Sequence, residues 1–291
     1  CTFFMMKNLP GTPFDAERFS IMTPQQQERV LEMYGLNDSL PMQYVKYIKN
    51  MLKGDLGTSF TYVNQDVSKV ITGRLGPSAL IGIQAVLIGL AIGLILGILA
   101  AWKHNSGIDY FTMILAVLGV SVPNFVAAAL LQYYIGLKWG ALPVGFWTGW
   151  NCSVLPSIAL SFSATAMVAR FMRTEMLDVL DQDYIVTARA KGLSQMKVLM
   201  RHAVRNSILP VVTILGPIVV NLMTGSLAVE NIFSIPGIGS LFVDCIKAND
   251  YPVIMGITIF YAAFYMLIVL LVDLAYSLID PRIRLAKGKE S

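Results

Sequence analysis

Apolar residues fill this chain in long blocks, separated by polar intervals short enough to stand out. Five blocks reach membrane-spanning length: Gly76 to Trp102, Tyr110 to about Leu137, Val154 to Met172, Ile208 to about Val229, and Val253 to Leu278. Roughly 20 apolar residues in a helix cross the hydrocarbon layer of a bilayer, so each block predicts a span. Pro123, in the middle of the second, predicts a kink because it removes a helical hydrogen bond, and Asn124 beside it can satisfy the freed carbonyl. Pro210 and Pro217 predict interruptions in the fourth, which also holds Asn221 and Thr224. In the first, Gly89, Gly93 and Gly97 form GxxxGxxxG, extended backwards by Ala85, a face that lets another helix approach closely.

Polar positions inside the blocks are few. Ser157, Ser161 and Thr165 fall at i, i+4 and i+8 on the third span, a stripe that either hydrogen-bonds a neighbouring helix or lines a hydrated path. Asp273 lies within the last span, where an ionisable side chain is by default a functional candidate. Its nearness to the helix end leaves anchoring, or bonding to another helix, equally open. Glu230 to Gly239, ENIFSIPGIG, is rich in turn residues and predicts an ordered loop.

The most unusual polar interval runs from Asp183 to Pro210, 28 residues with Arg189, Lys191, Lys197, Arg201 and Arg205 against the single acid Asp183. It predicts two short helices. The first starts at Asp183, whose carboxylate can bond free amides, and stops at Gly192, the residue that tolerates a left-handed C-terminal conformation; Ser194 caps the second. Met196, Leu199, Met200 and Ala203 recur at i, i+3, i+4 and i+7, with Lys197, Arg201 and Arg205 on another face. The prediction is a helical hairpin with one apolar and one basic side.

Charge sets the orientation. With the hairpin inside, the inner segments hold Lys103, Arg170, Arg173, the hairpin's five bases, Arg282, Arg284, Lys287 and Lys289, twelve in all, and the short outer loops hold only Lys138 and Lys247. This satisfies the positive-inside rule and puts the C-terminus in the cytoplasm. Residues 7–75, with eight bases and seven acids, then form a small extracytoplasmic helical lobe. In it Thr23-Pro24-Gln25-Gln26 predicts a capping box opening a helix that ends at Gly35, and a second helix from Pro41 to Lys53 stops at Gly54. Such a lobe either covers a membrane surface or docks a partner. The opening CTFFMM has no signal-peptide architecture and is expected to be the end of a first spanning helix, which makes six.

Composition removes other classes. The chain has 291 residues, 55% hydrophobic and 14% charged, where a soluble domain carries about a quarter charged. The three cysteines, Cys1, Cys152 and Cys245, form no CxxC, and His104 and His202 are isolated, so no metal site is expected. No GxxxxGK[ST] phosphate loop is present, so the chain is not expected to bind or hydrolyse ATP.

Several motifs in one order carry a resemblance. TARAKGL followed by RHAVRNSILP resembles the cytoplasmic EAA loop of permease subunits from binding-protein-dependent ABC importers, in the oligopeptide, dipeptide and nickel branch. LPGTPF, YGLNDSLPMQY, GDLGTSF, SVPNF, VENIFSIPGIG and VDLAYSLIDPRIR resemble that branch over nearly the whole chain. Two differences from the general pattern are Thr187-Ala188-Arg189 in place of Glu-Ala-Ala, and Arg205 where a proline follows thirteen residues after the glycine.

The resemblance implies an all-α, multi-pass transmembrane domain of the type I importer fold over residues 76–291, in a bacterial cytoplasmic membrane. It implies a non-catalytic translocation subunit that couples ATPase closure to alternating access, with oligopeptides or dipeptides as substrate; nickel import and a self-sufficient secondary transporter are the alternatives. Implied partners are two ABC ATPase subunits that bind ATP and Mg, a homologous second permease, and an extracytoplasmic substrate-binding protein. Thr187, Ala188, Arg189, Ala190, Lys191, Gly192 and Leu193, within the hairpin 183–207, are the expected ATPase-coupling residues. Glu230, Phe233, Pro236, Gly237 and Gly239 are the expected outer gate or binding-protein contact. Ser157, Ser161, Thr165, Asn221 and Asp273 are the candidates for pathway or helix packing.

Overall fold

The computed structural model describes residues 2–7, 21–33, 37–62 and 65–279, without the side chains at 7, 30, 31, 33, 221, 223–225 and 275–279. The described residues are helical, as expected. Short helices come first: α1 (Thr2–Lys7), α2 (Pro24–Met33) and α3 (Leu40–Met51). The long ones follow as α4 (Val67–Trp102), α5 (Gly107–Ser121), α6 (Asn124–Leu131) with a π-helical extension Gln132–Lys138, and α7 (Val154–Leu180). Next are α8 (Asp183–Ala190) and α9 (Gln195–Val198), the latter running through a π-helical stretch, Leu199–Val204, into α10 (Arg205–Ile232). Last come α11 (Ile238–Lys247) and α12 (Tyr251–Ile279). Four helices have the length and apolarity of spans, and the bent pair α5–α6 makes a fifth, in agreement with the five predicted blocks. The chain divides into two compact units, Cys1–Gly76 with Pro236–Ala263, and Pro77–Ile235 with Phe264–Ser291.

In the larger unit α7 is the axis. Leu155, Ala159, Leu160, Ala164, Val168, Met172 and Met176 from it join one buried core with Ile81 and Ala85 of α4 and with Val211, Ile218 and Leu222 of α10. The predicted glycine face of α4 packs here. A Cβ placed on Gly89 would lie 2.6 Å from the Cβ of Ala164, one on Gly93 2.7 Å from that of Val168, and one on Gly97 2.7 Å from the carbonyl oxygen of Ala169. These distances are below van der Waals contact, so no side chain larger than hydrogen fits at the three positions. Ser157 reinforces the seam by donating to the Ile81 carbonyl at 3.3 Å and to Gln84 Oε1 at 2.9 Å.

Pro123 does more than kink. α5 stops at Ser121, Val122 is extended with φ −83° and ψ 118°, and Pro123 sits at the N-cap of α6, so the two helices meet at 99°. Steric conflict between a proline ring and the residue before it disfavours helical backbone at that residue, which turns the expected kink into a break. Pro210 and Pro217 behave in the opposite way and lie inside an unbroken α10. Helices in an apolar setting tolerate proline when neighbouring groups take over the freed carbonyls.

The smaller unit realises the predicted capping box at α2, with the Thr23 amide donating to Gln26 Oε1 at 2.9 Å and the Gln26 amide to Thr23 Oγ1 at 3.4 Å. The predicted stop at Gly35 lies outside the described residues. After α3, Gly54 takes φ +81°, the left-handed conformation expected of it. Val67, Val70 and Ile71 of α4 pack with Ile238, Leu241 and Cys245 of α11 and with Val253, Ile254 and Ile257 of α12. Asp250, fully buried, organises this end: it accepts from the Ser59 hydroxyl, from the Thr61 amide at 3.0 Å and from the Val253 amide at 3.4 Å, the last as a cap on α12.

Two outcomes follow. Gly93→Leu overpacks the α4–α7 seam and costs about 1–3 kcal/mol, read as a lower Tm of the purified protein. Burial, with Asp250 and Asp244 nearby, pushes the Cys245 thiol up to about 12. Because the thiolate is the reactive form, Cys245 resists maleimide at pH 8 in the folded protein and reacts once it is denatured.

Candidate functional site

The hairpin forms where the charge pattern put it, and its turn is built from backbone bonds. Gly192 has φ +74°, the Gly192 amide donates to the Arg189 carbonyl at 3.0 Å, and the Leu193 amide reaches back to the Ala188 carbonyl at 3.4 Å. Those two bonds form a Schellman closure, which satisfies carbonyls at the end of α8 and needs a left-handed residue at position 192. A Cβ on Gly192 would meet nothing within 4 Å, so its place is fixed by backbone conformation and its outer side is open. Gln182 stands at the N-cap of α8, with Asp183 one position inside the helix. Ser194 stands at the N-cap of α9 as predicted.

Burial separates the seven expected coupling residues. Ala188 is enclosed with Ile185 and Val198, against which Val179 and Leu180 of α7 pack. Thr187, Arg189, Ala190, Lys191, Gly192 and Leu193 are exposed. Ala188 therefore holds the hairpin together, and the other six form its outer surface. The second helix departs from the predicted face: Leu199 and Ala203 point inwards as expected, Val198 joins them, and Met196 and Met200 are half exposed. The inward face is centred on Val198 and Leu199, which leaves Met196 and Met200 outside it. Met196, Met200, Tyr184, Val186 and Leu193 are thus exposed, as are Arg189, Lys191, Lys197 and Arg201, so the hairpin presents both apolar and basic side chains to solvent. Two bonds tie it to its supports, Asn206 Nδ2 to the Tyr184 hydroxyl at 2.9 Å and Ser207 Oγ to the Glu175 carbonyl at 3.2 Å.

The segment from Glu230 to Gly239 is not the ten-residue loop predicted. α10 continues to Ile232, a five-residue turn follows, and α11 begins at Ile238. Helix persists because its side chains are buried: Glu230 is fully enclosed and accepts from the Ser78 hydroxyl at 2.8 Å, and Phe233 is 1% exposed. The turn is stapled through its carbonyls, by a backbone bond from the Phe146 amide to the Phe233 carbonyl at 2.9 Å and a side-chain bond from Gln132 Nε2 to the Ile232 carbonyl at 2.8 Å. Gly237 and Gly239 are buried and Pro236 is half-buried. The stripe on α7 also divides. Ser157 and Ser161 are buried and bonded to protein, whereas Thr165 lines an apolar cavity of about 570 Å³ with Thr112, Gly119, Tyr134, Trp139 and Phe162. Asp273 is exposed on α12, and the Asn221 side chain lies outside the described residues. No group of three or more His, Cys, Asp or Glu among the described residues is placed to hold a metal.

Residues 93–285 match the family model of the binding-protein-dependent transport system inner membrane component. The chain belongs to that family. It is 45% identical over 284 residues, covering 98% of this chain and 93% of the relative, to the dipeptide transport system permease protein DppB of Lactococcus lactis subsp. cremoris. It is 43% identical to DppB of Bacillus subtilis, with 98% and 92% covered. It is 39% identical to the oligopeptide transport system permease protein OppB of Salmonella typhimurium, with 97% and 92% covered. Among solved structures, a chain of the inward-facing MetNI methionine ABC transporter superposes with TM-score 0.63 at 14% identity, over 72% of this chain and 96% of that one. That likeness shows the fold, which is the expected one of a type I importer.

Three features of this inner membrane component escaped the sequence reading. Asp109 is 2% exposed and receives Arg173 Nε on one oxygen at 2.6 Å and Arg173 Nη2 on the other at 2.8 Å, with the Asn105 amide at 3.0 Å. His104 Nδ1 lies 3.1 Å from the same carboxylate. The predicted second span starts at Tyr110, one residue beyond Asp109, and the third ends at Met172, one residue before Arg173, so the two charges fall at adjoining span ends and could have been paired there. Asp250, just before Tyr251-Pro252, carried the legible signal of an aspartate cap before a proline. Gln132, alone and polar in an apolar run, gave no pattern.

The division of the hairpin is testable. Ile185→Ala empties part of its core and costs about 2–4 kcal/mol, read as faster proteolysis of the hairpin. Arg189→Glu, on the surface, changes stability by less than about 0.5 kcal/mol.

Proposed function

We propose that this chain is a translocation-pathway subunit of an ATP-driven, binding-protein-dependent peptide importer, and that its hairpin docks into an ABC ATPase subunit. The observation that carries the reading is the exposure of the hairpin: apolar side chains from Tyr184 to Met200 together with unburied Arg189, Lys191, Lys197 and Arg201, on a Schellman turn whose outer side is open. An isolated membrane protein has no reason to hold such a surface in water. Its guanidinium and ammonium groups supply charge-assisted hydrogen bonds to carboxylates or carbonyls of a partner.

The rest of the assembly follows from family and charge. Twelve bases on one side put the hairpin and the C-terminus in the cytoplasm, with residues 7–75 as the outer lobe. Two ATPase subunits supply ATP and Mg, a second homologous permease completes the path, and an extracytoplasmic binding protein delivers the substrate. Dipeptides or oligopeptides are that substrate, by likeness to relatives 38–45% identical along nearly the whole chain. Glu230, Phe233 and the turn to Gly239 serve as the buried frame of the outer gate, since burial withholds the Glu230 and Phe233 side chains from a visiting protein.

The complex purified from membranes tests the reading. Arg189→Glu with Lys191→Glu abolishes copurification of the ATPase, and Gly192→Trp abolishes uptake of labelled dipeptide while the protein stays in the membrane. Full uptake in both variants would remove the docking role.

A further inference from the structure

α5 and α7 lie antiparallel, and two contacts on opposite sides of the Thr112–Ala116 stretch fix their register. At one, a Cβ on Gly119 would lie 3.0 Å from the Cβ of Ala166 and 3.1 Å from the Phe162 carbonyl oxygen. At the other, the Arg173 guanidinium forks onto both oxygens of Asp109. Between them α5 presents the buried Thr112 and Ala116, and α7 presents the buried Ala169, side chains too small to interlock. Without the fork such a seam permits sliding, the shear motion of packed helices. With it, Asp109 is bound at both oxygens and by the Asn105 amide, so any shift of α7 along its axis carries α5 along.

The same end of α7 is also fastened to the hairpin. Two residues beyond Arg173, the Glu175 carbonyl accepts from Ser207 Oγ at 3.2 Å, and Val179 and Leu180 pack on Ile185, Ala188 and Val198. At its far end α5 stops at the 99° bend before α6, and Thr112, Ala116, Gly119 and Val122 form one wall of the cavity. A continuous train therefore runs from hairpin to α7, through the Asp109–Arg173 fork to α5, and on to the bend and the cavity. Its energetics match a joint better than a support, because a buried ion pair adds little net stability over an apolar pair of similar shape, whereas a two-point fork fixes direction and register.

We propose that Asp109 and Arg173 are positioning residues of the transport cycle: the ion pair makes α5 follow the hairpin, so that ATPase closure reshapes the cavity at the bend. The inference rests on the hairpin docking to the ATPase. Its test uses the full complex in proteoliposomes, measuring labelled dipeptide transported per ATP hydrolysed, normalised to assembled complex. Asp109→Asn and Arg173→Gln lower that ratio at least tenfold while hydrolysis stays within twofold, and the double variant is no worse than either single one. Arg173→Lys, which keeps the charge and loses the fork, gives an intermediate ratio and carries the test if the neutral variants assemble poorly. An unchanged ratio, with uptake and hydrolysis falling together, overturns the joint. Retention of the ATPase by the Arg189→Glu/Lys191→Glu variant instead overturns the docking reading, and is scored separately by copurification.

Discussion

The larger unit depends on one steric constraint, that α7 must be approached at backbone distance from more than one side at once. Two-thirds of its spanning window is buried within the chain, far more than for any other span. Small side chains make this possible: Ala164 takes Gly89, Ala166 takes Gly119, and Ala169 takes Gly97. In lipid there is no hydrophobic gain from bringing two apolar helices together, so close contact and the few hydrogen bonds it allows must supply the association. Ser157, bonded to Ile81 and Gln84, is one of those few. The hairpin that extends from its C-terminal end is anchored to it as well.

The hairpin draws its rigidity from that anchorage. Its own core is only Ile185, Ala188 and Val198, too small to hold two short helices in water, and Val179 and Leu180 complete it. The basic residues play no part in this packing. Support and contact are thereby segregated onto different side chains within one stretch of sequence, which is what allows the outer surface to stay exposed without loss of shape.

Much of this was legible in the amino-acid order. Spans could be read from apolar length, the glycine face from its spacing, and the hairpin turn from Gly192, because each depends on local chemistry or on a period short enough to see. The misreadings share a different cause. Pro123 broke a helix and Pro217 did not, and nothing in the residues beside them separates the two outcomes. Met196 and Met200 fell outside because Val198 and Leu199 took the inward face, packed against residues far off in the sequence. ENIFS stayed helical through Ile232 because Glu230 found Ser78, 152 residues away. Asp109 and Arg173, 64 residues apart, are likewise invisible to any window.

The break at Val122–Pro123 carries a demand of its own. A helix end leaves up to four carbonyls without internal partners, and a helix start leaves as many amides. Here α5 ends and α6 begins within an apolar block, where lipid tails offer such groups nothing. Backbone of this kind persists at membrane depth only when enclosed by protein or wetted. The Val122 amide still reaches the Leu118 carbonyl and the Pro123 carbonyl takes the Val126 and Ala127 amides, so the bend keeps part of its bonding within the chain and leaves the remainder to enclosing protein or to water.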